Sequence, residues 1–500
     1  MPRLSAVDLL NLVIDNGSFD SWDTPAVEYV VDEEYASALA AARGKTGLDE
    51  SVITGLASVR GRKVVILLCE FSFLAGSIGC AAGERLVTAV RRATAERLPL
   101  LALPVSGGTR MQEGTVAFLQ MVRITAAITA HKAAHLPYIV YLRNPTTGGV
   151  FASWGSLGHM TIAEPGALVG FLGPRVYEAL FDAQFPAGVQ TSENLQAHGL
   201  IDAIRPPDQL GEIVDRALRI MTDIPSGAIR SFEAPRWTIE DVPAWTSIVA
   251  SRRADRPGVR ELLSKAAADI LPLNGTGQGE SDPGLLLALV RFGDMPCVLL
   301  GQDRCGQATE ASLGPAALRE ARRGMRLAQD LELPLVTVID TAGAVLSKEA
   351  EEGGLAGEIA SCIAAMIDLN TATVSLLLGQ GAGGGALALV PADRVLAAQH
   401  AWLSPLPPEG ASAIVHRDID HAADMAAKQG VRSLDLLRAG IVDIVIPELP
   451  DAADETQHFC DRVGTILHHE LAELLAQDSA KRTIAREKRF NRIGSMNGKG

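Results

Sequence analysis

The stretch Glu84–Arg97, followed by Leu98-Pro99-Leu100-Leu101-Ala102-Leu103 and then Ser106-Gly107-Gly108-Thr109-Arg110, returns later in the same chain. There Ala316–Asp330 leads into Leu333-Pro334-Leu335-Val336-Thr337-Val338-Ile339 and then Asp340-Thr341-Ala342-Gly343. Pro99 stands nine residues before Gly108, and Pro334 nine before Gly343. The correspondence extends outward. The apolar run Tyr138–Leu142 precedes Pro145-Thr146-Thr147-Gly148-Gly149, and Thr373–Leu378 precedes Gly379-Gln380-Gly381-Ala382-Gly383-Gly384-Gly385. Gly108 to Gly149 is 41 residues and Gly343 to Gly385 is 42. Each copy closes on a similar phrase, Gly199-Leu200-Ile201-Asp202 and Gly440-Ile441-Val442-Asp443. Four landmarks in the same order define an internal duplication of about 200 residues per copy.

Each copy reads as strand, helix, strand, glycine loop, helix. Val64–Cys69 is a continuous apolar run of strand length. Such strands alternating with helices predict sheets covered by helices, an α/β class. The glycine loops fall at the C-terminal ends of strands, where open α/β folds place ligands. Pro225, Pro235, Pro243 and Pro257 mark 222–258 as a linker, with one helical stretch near Trp245–Arg253. The predicted domains are therefore 1–221 and 259–500. Residues 1–45 read as a helical prelude. Residues 452–490 read as one closing helix, with Val463, Ile466, Leu467, Leu471 and Leu474 at helical spacing.

Of 500 residues, 47% are hydrophobic and 21% charged, enough apolar material for large cores, which excludes disorder over most of the chain. The 45 Lys and Arg against 59 Asp and Glu give a net charge of −14, which removes a global electrostatic case for nucleic acid. The basic residues of the last stretch, among them Lys481, Arg482, Arg486, Arg489 and Lys499, read as a solvated helix end and tail. Apolar runs such as Leu285–Val290 fall well short of the roughly 18 residues of a membrane span. No basic stretch followed by a cleavable apolar core opens the sequence, so a cytoplasmic protein is expected. None of the six cysteines forms C-x-x-C, and neither a disulfide framework nor a zinc ribbon is expected; Cys69 reads as a core residue.

A strand, paired glycines and a helix leave backbone N–H groups open at the helix's first turn. Glycine admits an oxygen without a Cβ in the way, and the helix dipole adds partial positive charge. The loops are thus candidate sites for a phosphate or an enolate oxygen, two per half, each pair able to form an oxyanion hole. The alternative is that the glycines only permit tight turns and close packing. Gly379-x-Gly381-x-x-Gly384 fits a dinucleotide fingerprint, but it lies late in its half and its counterpart lacks the pattern. Gly44-Lys45-Thr46 ends like a phosphate-binding loop, with Leu39 where its first glycine belongs. His159 and Glu164 lie near the first glycine site in sequence, and Glu349, Glu351 and Glu352 read as a solvated acidic face. Arg110 reads equally as a contact for an anion such as a CoA phosphate or as half of a structural ion pair.

Several phrases of the first half resemble the carboxyltransferase beta subunit of bacterial acetyl-CoA carboxylase. They are Phe71-Ser72-Phe73 with Gly76-Ser77-Ile78-Gly79, Ser106–Gly114, Pro145–Val150, and Ile162-Ala163-Glu164-Pro165-Gly166-Ala167-Leu168, within residues 45–205. The second half resembles the alpha subunit through Ile339–Ala344, Gly379–Ala386 and Pro408-Glu409-Gly410-Ala411-Ser412-Ala413-Ile414, with Arg252 and Asp255-Arg256-Pro257 resembling its start. The whole resembles a fused beta–alpha carboxyltransferase of actinobacterial type. That resemblance implies two tandem crotonase-like spiral domains of repeated ββα units, acyl-CoA on the first and carboxybiotin on the second. It implies that the amides of Gly148 and Gly149 hold the thioester enolate oxygen, and those of Gly384 and Gly385 the ureido oxygen of biotin. Ser106, Gly107, Gly108 and Arg110, with Gly343 in the second half, are the candidate substrate-binding residues. It further implies a homo-oligomer in which each site joins the first domain of one chain to the second domain of another.

Three features depart from the family. The N-terminal zinc ribbon of the beta subunit has no counterpart, Asp340-Thr341-Ala342-Gly343 replaces Asp-Thr-Pro-Gly, and Val345–Gly354 and the region around Leu271–Pro283 have lost the usual pattern. The expected function is carboxyl transfer from carboxybiotin to acetyl-CoA or a related acyl-CoA, giving malonyl-CoA or a homologue for fatty-acid synthesis. No Met-Lys-Met biotin-attachment phrase occurs. A separate biotin carboxylase/biotin carboxyl carrier subunit is therefore the expected partner, with no covalent cofactor and no zinc. The alternatives are a biotin-independent malonyl decarboxylase-type component and a non-catalytic acyl-CoA-binding scaffold.

Overall fold

The computed structural model describes residues 3–27, 29, 31–225, 238–307 and 313–493. The chain divides into two compact units, 1–222 with 277–279, and 223–276 with 280–500. Lys499 and part of the proposed linker lie outside the described residues.

In the first unit a seven-stranded sheet runs in the order Asp20–Ser21, Val52–Val59, Arg62–Cys69, Leu100–Leu103, Tyr138–Leu142, Met160–Ala163, Ala203–Ile204. Its first two junctions are antiparallel and the other four parallel. The second unit repeats this in the order Asp269–Leu273, Leu285–Phe292, Met295–Gln302, Leu335–Thr341, Thr373–Gly381, Arg394–Ala398, Ile444–Ile446. Again two antiparallel junctions are followed by four parallel ones. The duplication read from the sequence is thus a duplication of sheet topology.

The parallel strands are buried along most of their length, Leu100–Leu103 and Tyr138–Leu142 entirely, which is why they lack polar alternation. Helix Cys80–Ala95 places Ala82, Leu86, Val90 and Ala93 on one buried face. That face joins Ile124 and Ile128 of helix Gln120–Ala133 in the core. In the second unit, helix Pro315–Leu331 starts with proline at its first position and buries Leu318, Ala321, Met325 and Ala328. Burying one such leucine or methionine contributes about 1.5–3 kcal/mol.

Three sequence readings change. Residues 238–258, read as linker, pack into the second unit. Helix Ala244–Ser251 buries Ile248 in a cluster with Trp402 and Val431, and the Trp402 indole donates to Ser251 Oγ at 2.9 Å. Arg256 forms a fully buried ion pair with Glu448 at 2.6 Å. The closing helix is two helices, Thr456–Leu475 and Ser479–Arg492, the second capped by Asp478. Its basic residues are not all solvated: Arg482 and Arg486 are buried, and Arg486 grips Asp393 through Nε at 2.8 Å and Nη2 at 2.9 Å. The sequence pattern hid this because Asp393 lies 93 residues away.

Candidate functional site

In the first unit, strand Leu100–Leu103 runs into the Ser106–Gly108 loop. Strand Tyr138–Leu142 leads to Thr146–Thr147 and the one-turn helix Gly148–Phe151. Thr147 N–H donates to the Ser106 carbonyl at 2.9 Å, and Ser106 N–H to the Pro145 carbonyl at 2.8 Å. The Ser106 hydroxyl accepts from Gly108 N–H at 3.0 Å, closing the first loop on itself. Gly108 has φ +110° and Gly148 φ +64°, conformations that favour glycine. A Cβ on Gly108 would lie 3.3 Å from the Gly148 Cα and the Gly149 nitrogen. The two loops therefore converge.

The second unit builds the same object. Gly343 N–H donates to Thr341 Oγ1 at 3.1 Å, as Gly108 does to Ser106. Ala382 N–H donates to the Thr341 carbonyl at 3.1 Å, as Thr147 does to Ser106. Gly343 has φ +133° and Gly383 φ +66°. The helix following the second loop is Gly383–Leu387. By these bonds and angles Gly148 matches Gly383, and Gly149 matches Gly384. The intervals Gly108–Gly148 and Gly343–Gly383 are then both 40 residues. The one-residue mismatch in the sequence comparison came from pairing Gly149 with Gly385, which occupies the place of Val150.

The open amides differ from the expected pairs. Gly148 N–H donates to the Phe171 carbonyl at 2.9 Å, and Gly383 N–H to the Ser404 carbonyl at 2.9 Å. Gly148 and Gly383 thus supply the left-handed backbone rather than a donor. Gly149 and Gly384, second in their helices, have no intrahelical acceptor. On the facing loops, Thr109 and Ala344 N–H groups have no acceptor among the described residues, whereas their successors do: Arg110 N–H donates to Ile78 and Val345 N–H to Leu313. A Cβ on Gly385 would lie 3.5 Å from the Ala344 nitrogen. Each unit thus offers one amide from each loop, Thr109 with Gly149 and Ala344 with Gly384. The sequence reading missed Thr109 and Ala344, because a main-chain donor leaves no trace in residue type.

Arg110 lies inside the first unit, shut off from solvent. Its guanidinium is fully buried and pairs with Glu50 at 2.5 and 2.9 Å, and it donates to the Ser77 carbonyl at 2.7 Å. This is the ion-pair alternative, and it braces the loop carrying Thr109. His159 is buried and accepts from Tyr138 N–H through Nδ1; Glu164 accepts from Asn144 N–H at 3.0 Å. Both hold strands and turns. Met121 lies over Gly149, its Cγ 3.2 Å from where a Cβ would stand, with Thr109 Oγ1 at the same distance. Ile359 holds the matching place over Gly384, its Cδ1 2.7 Å from such a Cβ. In the second unit Asp340 is buried beneath the loop, with Oδ1 accepting from Gln380 N–H at 3.0 Å. Burial raises its pKa, while Arg304 at 3.6 Å opposes the rise. A cavity of about 500 Å³ lies beside it, lined by Arg304, Cys305, Gln307, Ala342 and Gln380. Among the described residues no group of three or more His, Cys, Asp or Glu is placed to hold a metal ion. No helix among them is long and apolar enough to cross a membrane.

The carboxyl transferase domain family matches residues 3–484. A probable biotin-dependent acyl-coenzyme A carboxylase beta3 subunit of Mycobacterium tuberculosis is 59% identical over 99% of this chain and 99% of its own length. The acetyl-coenzyme A carboxylase carboxyl transferase subunits beta/alpha of a Parafrankia species are 36% identical over 99% of this chain and 86% of their own. Among solved structures, transcarboxylase 12S, a hexamer with methylmalonyl-coenzyme A and methylmalonic acid bound, superimposes with a TM-score of 0.76. It is 20% identical, over 95% of this chain and 90% of that one. The fold is therefore the two-domain, crotonase-like fold, and the chain belongs to the carboxyl transferase family. It is an enzyme, a carboxyltransferase of the acyl-CoA carboxylases, as the motifs of both halves implied.

Proposed function

We propose that this chain moves a carboxyl group from carboxybiotin, held on a separate carrier subunit, to the α-carbon of acetyl-CoA or a related acyl-CoA. The observation that carries the reading is the repeated pair of facing amides, Thr109 with Gly149 and Ala344 with Gly384. The reaction generates two oxygen-centred anions, and each pair matches one. The first stabilises the thioester enolate oxygen and the second the ureido oxygen of biotin. Carboxybiotin releases CO2, the biotin anion left behind takes the α-proton, and the resulting enolate attacks CO2. Biotin itself serves as base, which agrees with the absence of an obvious side-chain base at either loop among the described residues. The chain's part is positioning and anion stabilisation. Close relatives named as biotin-dependent acyl-CoA carboxylase subunits support the substrate classes.

The test combines the purified chain with the cognate biotin carboxylase/biotin carboxyl carrier subunit and ATP, and follows labelled bicarbonate through carboxybiotin into acetyl-, propionyl- and longer acyl-CoA. Label in an acyl-CoA that depends on all components is expected. Decarboxylation of malonyl-CoA with no biotin present would favour the decarboxylase-type reading, and tight CoA binding without any turnover would favour the scaffold.

A further inference from the structure

Gln302 ends strand Met295–Gln302 and is fully buried, with no part in any motif singled out in the sequence. Its side chain makes two hydrogen bonds. Oε1 accepts from Asp340 N–H at 3.1 Å, and Nε2 donates to the Gly385 carbonyl at 2.8 Å. These belong to the two loops that converge in the second unit, one carrying Ala344 and the other Gly384.

Both partners are backbone groups that secondary structure leaves unsatisfied. Asp340 sits where the pairing of strands Leu335–Thr341 and Thr373–Gly381 slips, between Ile339 and Thr341. Helix Gly383–Leu387 ends after little more than a turn, and Leu389 N–H donates to Ala386 rather than to Gly385. A buried peptide group without a partner is costly, so something must fill both places. The pairing of strand Met295–Gln302 with its parallel neighbour runs to Gly301 opposite Val338 and stops. Gln302 is one residue beyond and is an amide, the side chain that accepts and donates at once. The first unit joins its loops differently, through the Thr146 hydroxyl, whose one proton lies between the Pro104 and Arg143 carbonyls at 3.0 and 2.8 Å.

We propose that Gln302 is the positioning residue of the second anion hole, fixing the spacing of the Ala344 and Gly384 amides while touching no substrate. The inference rests on the proposed carboxybiotin-dependent transfer and adds a residue to it. Because Gln302 bonds both loops of the second unit and neither loop of the first, its loss acts on one substrate only.

The experiment uses the full-length chain in the reverse direction, malonyl-CoA decarboxylation with free biotin as acceptor, together with CoA binding by calorimetry. Gln302→Glu keeps an acceptor for Asp340 N–H and, assayed at a pH where it is ionised, loses the donor to Gly385; Gln302→Met loses both. Each is expected to lower kcat/KM for biotin, by roughly 10-fold for Glu and 100-fold for Met. The CoA dissociation constant is expected to stay within about 2-fold of the parent, at temperatures where circular dichroism shows each variant folded. Equal biotin kinetics in parent and folded variants would overturn the proposal. So would a parallel loss of CoA affinity, or a lowered melting temperature with unchanged biotin kinetics in the folded fraction, since either assigns Gln302 to stability alone. If only one variant folds, its biotin and CoA values decide by the same criteria. A parent with no biotin-dependent turnover fails the transfer reading instead, and its CoA binding shows separately whether the first unit holds its ligand.

Discussion

At Gly149 the space above the backbone is already occupied, by Met121 Cγ and Thr109 Oγ1 at 3.2 Å from the Cβ position. Gly149→Val must therefore displace the wall of the first anion hole. We expect it to reduce carboxylation by at least about 100-fold, the typical effect of losing one oxyanion donor. Gly384→Val, with Ile359 Cδ1 at 2.7 Å, should do the same while leaving CoA affinity near the parent value, as calorimetry would check. Gly385→Val, aimed one position further along, meets Leu313 at 2.8 Å instead and serves as the control for register. If it and not Gly384→Val removed activity, the assignment of Gly384 to the Gly149 position would be wrong. Gly148 carries a different cost. Its φ of +64° disfavours any residue with a Cβ by about 1–2 kcal/mol, and the Gly107 carbonyl would stand 3.2 Å away. The sequence announced that these glycines matter, but not which of three consecutive ones turns left-handed. Residue type is identical along Gly383–Gly385, and only the carbonyl of Ser404, 21 residues on, selects Gly383.

Helix Gln120–Ala133 carries one histidine into the core. His131 is fully buried between Thr94 Oγ1 at 3.0 Å and the Pro137 carbonyl at 3.3 Å, and burial pushes its pKa down to about 4. The unfolded chain binds a proton there near pH 6.5, and the folded one does not until about pH 4. In that window the unfolded state holds more protons, so stability rises with pH and is lost as pH falls from about 6.5 toward 4. The full effect is on the order of 3 kcal/mol. Thermal melts of the parent and His131→Gln at pH 7.5 and 5.0 should show the parent losing more. Equal slopes would mean that His131 is already charged in the fold. At the other end of the chain, helix Ser479–Arg492 is held by Arg486 on Asp393, with further bonds to the Met366, Leu369 and Thr371 carbonyls. Arg486→Ala removes the bidentate partner of buried Asp393, which keeps Arg482 Nε at 3.5 Å and the Thr373 donors, and should cost about 3 kcal/mol, read as a lower melting temperature of the second unit. Strands and amphipathic helices were legible because their signal is local: Tyr138–Leu142 is a strand to the residue. The break between the two C-terminal helices and the fate of their arginines were not, because distant carboxylates and carbonyls decide them.

Two sheets with the same order and the same sequence of antiparallel and parallel junctions make the whole molecule a repeat of one chemical device. The transfer reading gives the copies different substrates. If each site draws its halves from different chains, mixing Gly149→Val chains with Gly384→Val chains under subunit exchange should restore part of the activity. Each mixed pair would contain one site free of both changes. No recovery, with exchange demonstrated and each variant inactive alone, would place both halves of a site within one chain. The hydrogen bonds that close the loops have a further consequence. Most of those common to both units join main chain to main chain, with a single hydroxyl, Ser106 or Thr341, helping in each. Selection on such a device acts on backbone angles and tolerates drift in the side chains around it. The altered stretch after Gly343 is therefore a poor gauge of lost chemistry. A saturation library across 341–350 and 379–388 should be permissive at most positions and intransigent at Gly343, Gly381, Gly383 and Gly384, so that the enzyme's signature would be read in torsion angles long after its letters had blurred.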